Sequence, residues 1–234
     1  MIIFTKKRKM LKIGHRGAKG YAPENTLISF QKAIEMGVDG IELDVHLTFD
    51  GEIIVIHDET IDRTTNGKGL VNALSLHELK TVRIEKEHQI PTLKEVFNLV
   101  NQRCFINIEL KGNQTAKPVV HLIENYILEQ NWNYTDFLIS SFDWNALEEV
   151  RLLNQNIPIG VLTEKNLELA ISFATLVKAT AIHPDFHLLT KENTAQIQAL
   201  GLHVIPWTIN KIADIQNIKS FNVNAIITDF PDRI

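Results

Sequence analysis

Gly40-Ile41-Glu42-Leu43-Asp44-Val45-His46-Leu47-Thr48-Phe49-Asp50-Gly51-Glu52-Ile53-Ile54-Val55-Ile56-His57 is the stretch whose reading decides the fold. Its two apolar runs, 40–48 and 53–57, have the composition of strands. Asp50-Gly51 between them is a strong hairpin signal. With Asp50-Gly51 as a two-residue turn, Phe49 pairs with Glu52 and His57 falls opposite Asp44. Side chains alternate along a strand, so Glu42, Asp44 and His46 share one face. The hairpin alone therefore predicts that Glu42, Asp44 and His57 converge. The rest of the first run reads as buried, and buried carboxylates are costly unless cations or donors meet them. Salt bridges to lysines inside a barrel are the bland way to meet that need; a bound cation is the other.

Outward from the hairpin, short apolar runs alternate with longer amphipathic ones. Further strands are expected near 11–14, 104–110, 137–141, 158–162, 180–183, 203–207 and 225–228. Helices are expected near 25–36, 92–102, 116–130, 144–154, 166–177, 191–200 and 211–220. Leu93, Val96, Phe97 and Val100 have the i, i+3, i+4, i+7 spacing of one buried helix face. Asp143, just before Trp144, is a candidate helix N-cap. Strand and helix alternating to the end imply a mainly parallel sheet. So many units in 234 residues suit a closed (β/α)8 TIM barrel in one domain, 1–234. No glycine-rich nucleotide loop of either common type occurs, which removes the main support for an open nucleotide-binding sheet. Residues 58–90 are polar, turn-rich and poorly periodic, and read as a small insertion or lid after the hairpin.

Composition closes off several classes. Hydrophobic residues are 44 % and charged residues 22 %, ordinary for a globular chain, so wholesale disorder is excluded. The single cysteine, Cys104, rules out a disulfide within the chain and any thiolate cluster. A net charge of −4 gives no reason to expect a nucleic-acid-coating surface. No run approaches the ~18 apolar residues of a membrane span. Met1–Thr5 is apolar but short, and Lys6-Lys7-Arg8-Lys9 follows it, the reverse of a secretory signal. The expectation is a cytoplasmic protein with a solvated N-terminal tail, 1–10.

Chemistry-bearing residues cluster at the ends of the expected strands. Ile13-Gly14-His15-Arg16-Gly17 ends the first, joining an imidazole suited to proton transfer with a guanidinium suited to phosphate oxygens. In Asn107-Ile108-Glu109-Leu110-Lys111 the apolar residues face the helices, and Asn107, Glu109 and Lys111 face the barrel axis. Three carboxylates without thiolates suit a hard cation, Mg²⁺ or Ca²⁺. Lys111 either neutralises an oxyanion or balances Glu109. Trp207 either walls a small ligand or packs in the core, and Asp229 either orients another side chain or caps a turn. Active sites of (β/α)8 barrels are built at this end of the strands. Two histidines, three carboxylates, an arginine and a lysine there form a kit for metal-assisted attack on a phosphodiester.

His15-Arg16-Gly17, Ala22-Pro23-Glu24-Asn25-Thr26, Glu42-Leu43-Asp44-Val45 and His57-Asp58 together resemble the glycerophosphodiester phosphodiesterase family. Arg63 to Gly69, Ile90-Pro91-Thr92-Leu93, Glu109-Leu110-Lys111, Ser141-Phe142, Trp207-Thr208 and Thr228-Asp229 extend the likeness, in family order. The resemblance implies hydrolysis of glycerophosphodiesters to sn-glycerol 3-phosphate and an alcohol. It implies one divalent cation on Glu42, Asp44 and Glu109, and an acid/base pair of His15 and His57. It implies phosphate contacts from Arg16 and Lys111, and a glycerol pocket lined by Phe142 and Trp207. Asn25 or Thr26 reads as a helix cap, and nothing is carried over to His183 or His187. Competing readings are a lysophospholipase D or a cyclising lyase on the same scaffold, and a silent ligand-binding barrel. The scarcity of large apolar residues in 58–90 favours a deacylated, water-soluble small-molecule partner over an acylated one.

Overall fold

The computed structural model describes residues 10–234. Nine strands form one sheet: β1 (Leu11–Gly14), β2 (Gly40–Leu47), β3 (Ile53–Val55), β4 (Phe105–Leu110), β5 (Phe137–Ser141), β6 (Ile159–Thr163), β7 (Ala181–Pro184), β8 (His203–Val204) and β9 (Ala225–Thr228). Eight helices accompany them: α1 (Leu27–Glu35), α2 (Leu76–Leu79), α3 (Leu93–Val100), α4 (Ala116–Gln130), α5 (Trp144–Leu153), α6 (Leu167–Leu176), α7 (Lys191–Ala199) and α8 (Ile212–Ser220). Neighbours run β8-β7-β6-β5-β4-β2-β1-β9, all parallel, while β3 lies antiparallel on β2. This is the expected barrel. Of the expected tail, residues 1–9 lie outside the described residues, and Met10 packs against the core.

The ring closes without a regular last ladder. Asn224 and Ile227 donate backbone N–H to the carbonyls of Val204 and Pro206, both at 3.0 Å, and Ile209 donates to Ile227 at 3.0 Å. Pro206 has no N–H to give, so β8 stops at Val204 rather than reaching the expected residue 207. Ile106, Ile108 and Leu110 pack outward with the helices, while Ile13, Leu138, Ala181, Ile205, Ala225 and Ile227 fill the interior. Such inner layers make the barrel a packed core, open for chemistry only at its rim.

Local signals set the element ends. The Leu93, Val96, Phe97, Val100 face is buried as its spacing predicts, and Thr92 with Glu95 forms a capping box at its start. Asp143 caps α5 by accepting from Asn145 N at 3.0 Å. Thr26, not Asn25, caps α1 through Ser29 N. Among the described residues, no helix is long and apolar enough to cross a membrane.

The hairpin differs from expectation by one residue. Leu47 pairs with Ile53, His46 with Ile54 and Val45 with Val55. The loop is Phe49-Asp50-Gly51, three residues rather than two. Thr48 holds both of its ends: Thr48 N donates to Glu52 O at 3.0 Å, and Glu52 N donates to Thr48 Oγ1 at 2.9 Å. Gly51 takes φ +83°, the left-handed conformation that a three-residue hairpin loop demands. Asp44 therefore stands beside Ile56, whose N–H donates to the Asp44 carbonyl at 3.0 Å, and not beside His57.

Residues 58–90 are less polar in three dimensions than along the chain. Ile61, Val71, Leu79, Ile84 and Ile90 bury themselves against Ile54 and Ile56 in a small core of their own.

The main core is tied together by Phe97. It is fully buried and meets the rings of Tyr126, Trp132 and Phe137 at centroid distances of 4.9, 5.7 and 5.0 Å. Phe97→Ala is expected to cost about 3–5 kcal/mol in urea unfolding. A cost under about 1 kcal/mol would mean that this cluster does not bind α3 to the sheet.

Candidate active site

β1 delivers His15 and Arg16 to the rim. His15 N donates to Thr228 O at 2.8 Å, continuing the β1–β9 pairing. The chain then turns sharply, with Arg16 at φ +49°. That turn aims the Arg16 amide at Glu42, which accepts at 2.8 Å. The Arg16 guanidinium donates from Nη1 to Glu24 at 2.8 Å and places Nε 3.2 Å from Asp44 Oδ2.

β2 and β4 run in register, Asp44 beside Glu109, so strand alternation points Glu42, Asp44 and Glu109 into the same interior. Each offers an oxygen within 4.8 Å of the others. All three are buried. Burial, then repulsion from Asp44 and Glu109, holds the Glu42 carboxyl well above the usual carboxylate range. Burial, then Asp44, pushes Glu109 up to about 7, even though Lys111 donates to it at 3.0 Å. Asn25 Nδ2 donates to Asp44 Oδ2 at 2.8 Å, while Asp44 Oδ1 has no hydrogen-bond partner. Acidic oxygens crowded together, one of them unsatisfied, fit a hard divalent cation.

The two histidines are held alike. His15 Nδ1 lies 2.6 Å from Asp229 Oδ1, and His57 Nδ1 lies 2.7 Å from Asp58 Oδ1. A carboxylate only accepts, so each Nδ1 carries the donated proton and each Nε2 remains for other chemistry. Burial pulls both imidazoles below their ordinary pKa, against the opposing pull of Asp229 on His15 and of Asp44 on His57. Asn210 Nδ2 steadies Asp229 at 2.7 Å. Asp229 thus takes the orienting place that the sequence left open beside turn-capping.

A cavity of about 110 Å³ is lined by His15, Arg16, Glu42, His57, Glu109, Lys111, Phe142 and Trp207 among others. Eight of the nine residues singled out from sequence therefore meet there; Asp44 lies behind them, against Arg16 and Asn25. Phe142 and Trp207 meet edge to face at 5.5 Å, and Lys111 Nζ stands 5.8 Å from the Phe142 ring.

Sequence reasoning missed the frame behind these groups. Arg63 donates to Asp58 at 2.6 Å and to Glu24 at 2.7 Å, tying the His57 side of the rim to the Arg16 side. Burial alone would raise Glu24, but Arg63 and then Arg16 hold its carboxyl at about 2. Asn25 at φ +57° is spent on Asp44 rather than on a cap. The one signal for it was redundancy: Thr26 alone suffices to cap α1.

A barrel carrying three acids, two carboxylate-backed imidazoles and two cations at its rim has the equipment of a metal-dependent phosphodiester hydrolase. The family model described as "Glycerophosphoryl diester phosphodiesterase family" matches residues 15–233. A glycerophosphodiester phosphodiesterase of Caldanaerobacter subterraneus subsp. tengcongensis is 36 % identical, over 97 % of this chain and 96 % of the relative. One from Bacillus altitudinis is 39 % identical over 94 % of each. An Oleispira antarctica phosphodiesterase, solved with the product sn-glycerol-3-phosphate, superposes with TM-score 0.86 at 28 % identity, covering 96 % of this chain and 94 % of that one. The Thermotoga maritima enzyme superposes with TM-score 0.81 at 27 % identity, covering 97 % of each. The chain belongs to the glycerophosphoryl diester phosphodiesterase family, whose members are phosphoric diester hydrolases.

Cation binding by the acid trio would be pH-dependent with a definite sign. Glu109, raised to about 7, keeps its proton in acid and must lose it to become a ligand. Added Mg²⁺ or Ca²⁺ is therefore expected to raise the unfolding temperature more at pH 7.5 than at pH 5.5. At about 100 times Kd the stabilisation would be about 2.7 kcal/mol. A larger shift at pH 5.5, or none at either pH, would contradict the assignment.

Proposed function

We propose that the chain hydrolyses water-soluble glycerophosphodiesters, such as glycerophosphocholine, to sn-glycerol 3-phosphate and the free alcohol. The observation that carries this reading is the meeting of His15, His57, Arg16, Lys111 and two of the three acids around one small cavity. A cavity of about 110 Å³ suits a deacylated substrate and leaves little room for an acyl chain.

In this reading Arg16 and Lys111 hold the phosphoryl oxygens and offset their charge as it shifts during displacement. Glu42, Asp44 and Glu109 hold a divalent cation, Mg²⁺ or Ca²⁺, which when bound supplies Lewis-acid polarisation at phosphorus and a lowered pKa for the nucleophile. One imidazole, neutral, takes the nucleophile's proton at Nε2; the other, entering the step as the imidazolium, gives its Nε2 proton to the departing alkoxide oxygen. Asp58 and Asp229 hold Nδ1 as the protonated nitrogen, which frees Nε2 for the exchange, and stabilise the ring that carries the imidazolium charge. Phe142 and Trp207 exclude water on the glycerol side. Residues 58–90 serve as a small insertion over the barrel mouth, within one catalytic domain.

Release of glycerol 3-phosphate from glycerophosphocholine, followed with Mg²⁺, with Ca²⁺ and with a chelator, is the direct test. Cation-dependent release is expected. His15→Ala and His57→Ala should each lower turnover by about 10²–10⁴. Glu42→Gln should raise the cation concentration needed for half-maximal activity. Wild-type cation affinity in that variant would remove Glu42 from the ligand set, and chelator-resistant release would remove the cation from the mechanism.

A further inference from the structure

A second cleft, of about 510 Å³, opens beside the catalytic cavity and shares Lys111 with it. That volume falls in the range of small-ligand sites. Three separate segments build its walls. The hairpin loop brings Phe49, the 58–90 insertion brings Glu59, Leu70 and Asn72, and the turn after β4 brings Asn113. His46 also lines the cleft, and its Nε2 donates to the His57 carbonyl at 3.1 Å. The cleft thus lies one hydrogen bond away from the residue that carries the second imidazole.

These walls are fastened to one another. Phe49 N donates to Leu74 O at 2.9 Å, and Leu76 N donates to Asp50 Oδ1 at 3.0 Å, which pins the hairpin loop to the insertion. A Cβ on Gly112 would come 2.9 Å from His46 Nδ1, so only glycine lets the turn after β4 pass that ring without a shift. The carboxylate and the ammonium of the lining are Glu59 and Lys111. Lys111 Nζ donates to Glu109 at 3.0 Å, so its charge is spent in the catalytic cavity and its stem faces the cleft. Glu59 is exposed, and among the described residues its carboxylate has no hydrogen bond or ion pair. Phe49 is 77 % exposed and Leu70 49 %. The cleft therefore offers one uncommitted negative charge beside two large apolar side chains.

We propose that this cleft selects diesters whose leaving alcohol carries an ammonium group, with Glu59 facing the charge and Phe49 and Leu70 covering the hydrocarbon around it. This rests on the reading of the site as a glycerophosphodiester phosphodiesterase. In that reading the phosphate lies with Arg16 and Lys111, and the glycerol with Phe142 and Trp207. The third part of the substrate then passes Lys111 into the neighbouring cleft. The ammonium of an amino alcohol is a compact cation on a short hydrocarbon stem. A carboxylate attracts that cation, and an aromatic ring adds to the attraction when the nitrogen is methylated. An anionic head group meets repulsion from Glu59 and no spare ammonium to offset it. A neutral head group of the same shape gains the apolar contacts alone. Selection on the leaving side is thus by charge, and it comes from residues of the hairpin and the insertion that take no part in the displacement.

Two esters of glycerol 3-phosphate separate charge from shape: the choline ester and its neutral isostere, the 3,3-dimethylbutyl ester. Their kcat/KM values are compared at low salt with Mg²⁺ or Ca²⁺ present. An exposed ion pair together with a cation–π contact predicts that wild type favours the choline ester by about 5–20-fold. Glu59→Gln is expected to cut that ratio by about 3–5-fold, and Glu59→Lys to abolish or reverse it. Phe49→Ala should cost the choline ester more than the ethanolamine ester, whose ammonium carries no methyl groups to meet the ring. Glu129→Gln removes the same charge at the other end of α4 and should leave the ratio where it was. An equal fall in that variant would assign the preference to the overall charge of the protein and overturn the proposal. Equal kcat/KM for the two esters in wild type would overturn it too, as would a ratio that survives both Glu59 substitutions. Hydrolysis of both esters without discrimination sinks the cleft alone, whereas no hydrolysis of either sinks the phosphodiesterase reading and the cleft with it.

Discussion

Three carboxylates facing one another inside a barrel are an electrostatic liability, and the rim is arranged around containing it. Glu42, Asp44 and Glu109 are drawn together by strand register and by burial, neither of which can be relaxed without undoing β2 and β4. The chain answers with an amide from Arg16, a carboxamide from Asn25, and the cations of Arg16 and Lys111. Arg16 and Asn25 both adopt left-handed backbone to do so, a conformation that non-glycine residues use sparingly. Three negative charges still face only two positive ones. The raised carboxyls of Glu42 and Glu109 are the signature of that imbalance. A divalent cation would reverse it and leave the centre net positive, as a singly charged phosphodiester would require. The electrostatic cost of crowding these acids and the cluster's fitness for a cation thus have the same origin.

How much of this was legible in the sequence follows from which physical rule placed each residue. The acids were legible because alternation along a strand is rigid: once 40–48 reads as a strand, Glu42 and Asp44 must share a face. Lys111 and Glu109 follow by the same rule, and so do the outward-facing Ile106, Ile108 and Leu110. The element ends were legible where a cap or a proline dictates them, as at Thr92 and Asp143. Pro206 was equally visible, but its effect on β8 depends on the backbone that closes the ring beside it, which the sequence does not show. Arg63 and Glu24 were not legible as a pair. Their contact spans 39 residues between loops, where no periodicity carries information.

The hairpin separates a correct conclusion from the route to it. The register expected from a two-residue turn put His57 opposite Asp44; the three-residue loop puts Ile56 there. A one-residue slip within a ladder turns side chains to the other face. His57 nevertheless lines the same cavity as Glu42, because β3 ends at Val55 and alternation has no hold on residue 57. His57 is placed instead by polar contacts: Asp58 accepts from its ring, and His46 Nε2 donates to its carbonyl at 3.1 Å. Convergence of Glu42, Asp44 and His57 is real, but its cause is a loop and not a strand pair.

That difference in cause divides the labour within the site. Groups that must stay fixed against mutual repulsion sit on strands of a closed barrel, where displacement would disrupt ladders on both sides. The two imidazoles, proposed to exchange protons, sit just beyond strand ends and are held by contacts with carboxylates instead. Arg63 is the residue through which those contacts communicate. It reaches from the insertion to Asp58 behind His57 and to Glu24 behind Arg16. With Glu24 held at about 2 and Asp58 also depressed, chiefly by Arg63, these links keep their charges through the neutral range. The insertion is thereby fastened to the catalytic rim by charge as well as by its own small apolar core. A segment that looked like an appendage in sequence therefore helps to set the distance between the His57 side of the rim and the Arg16 side.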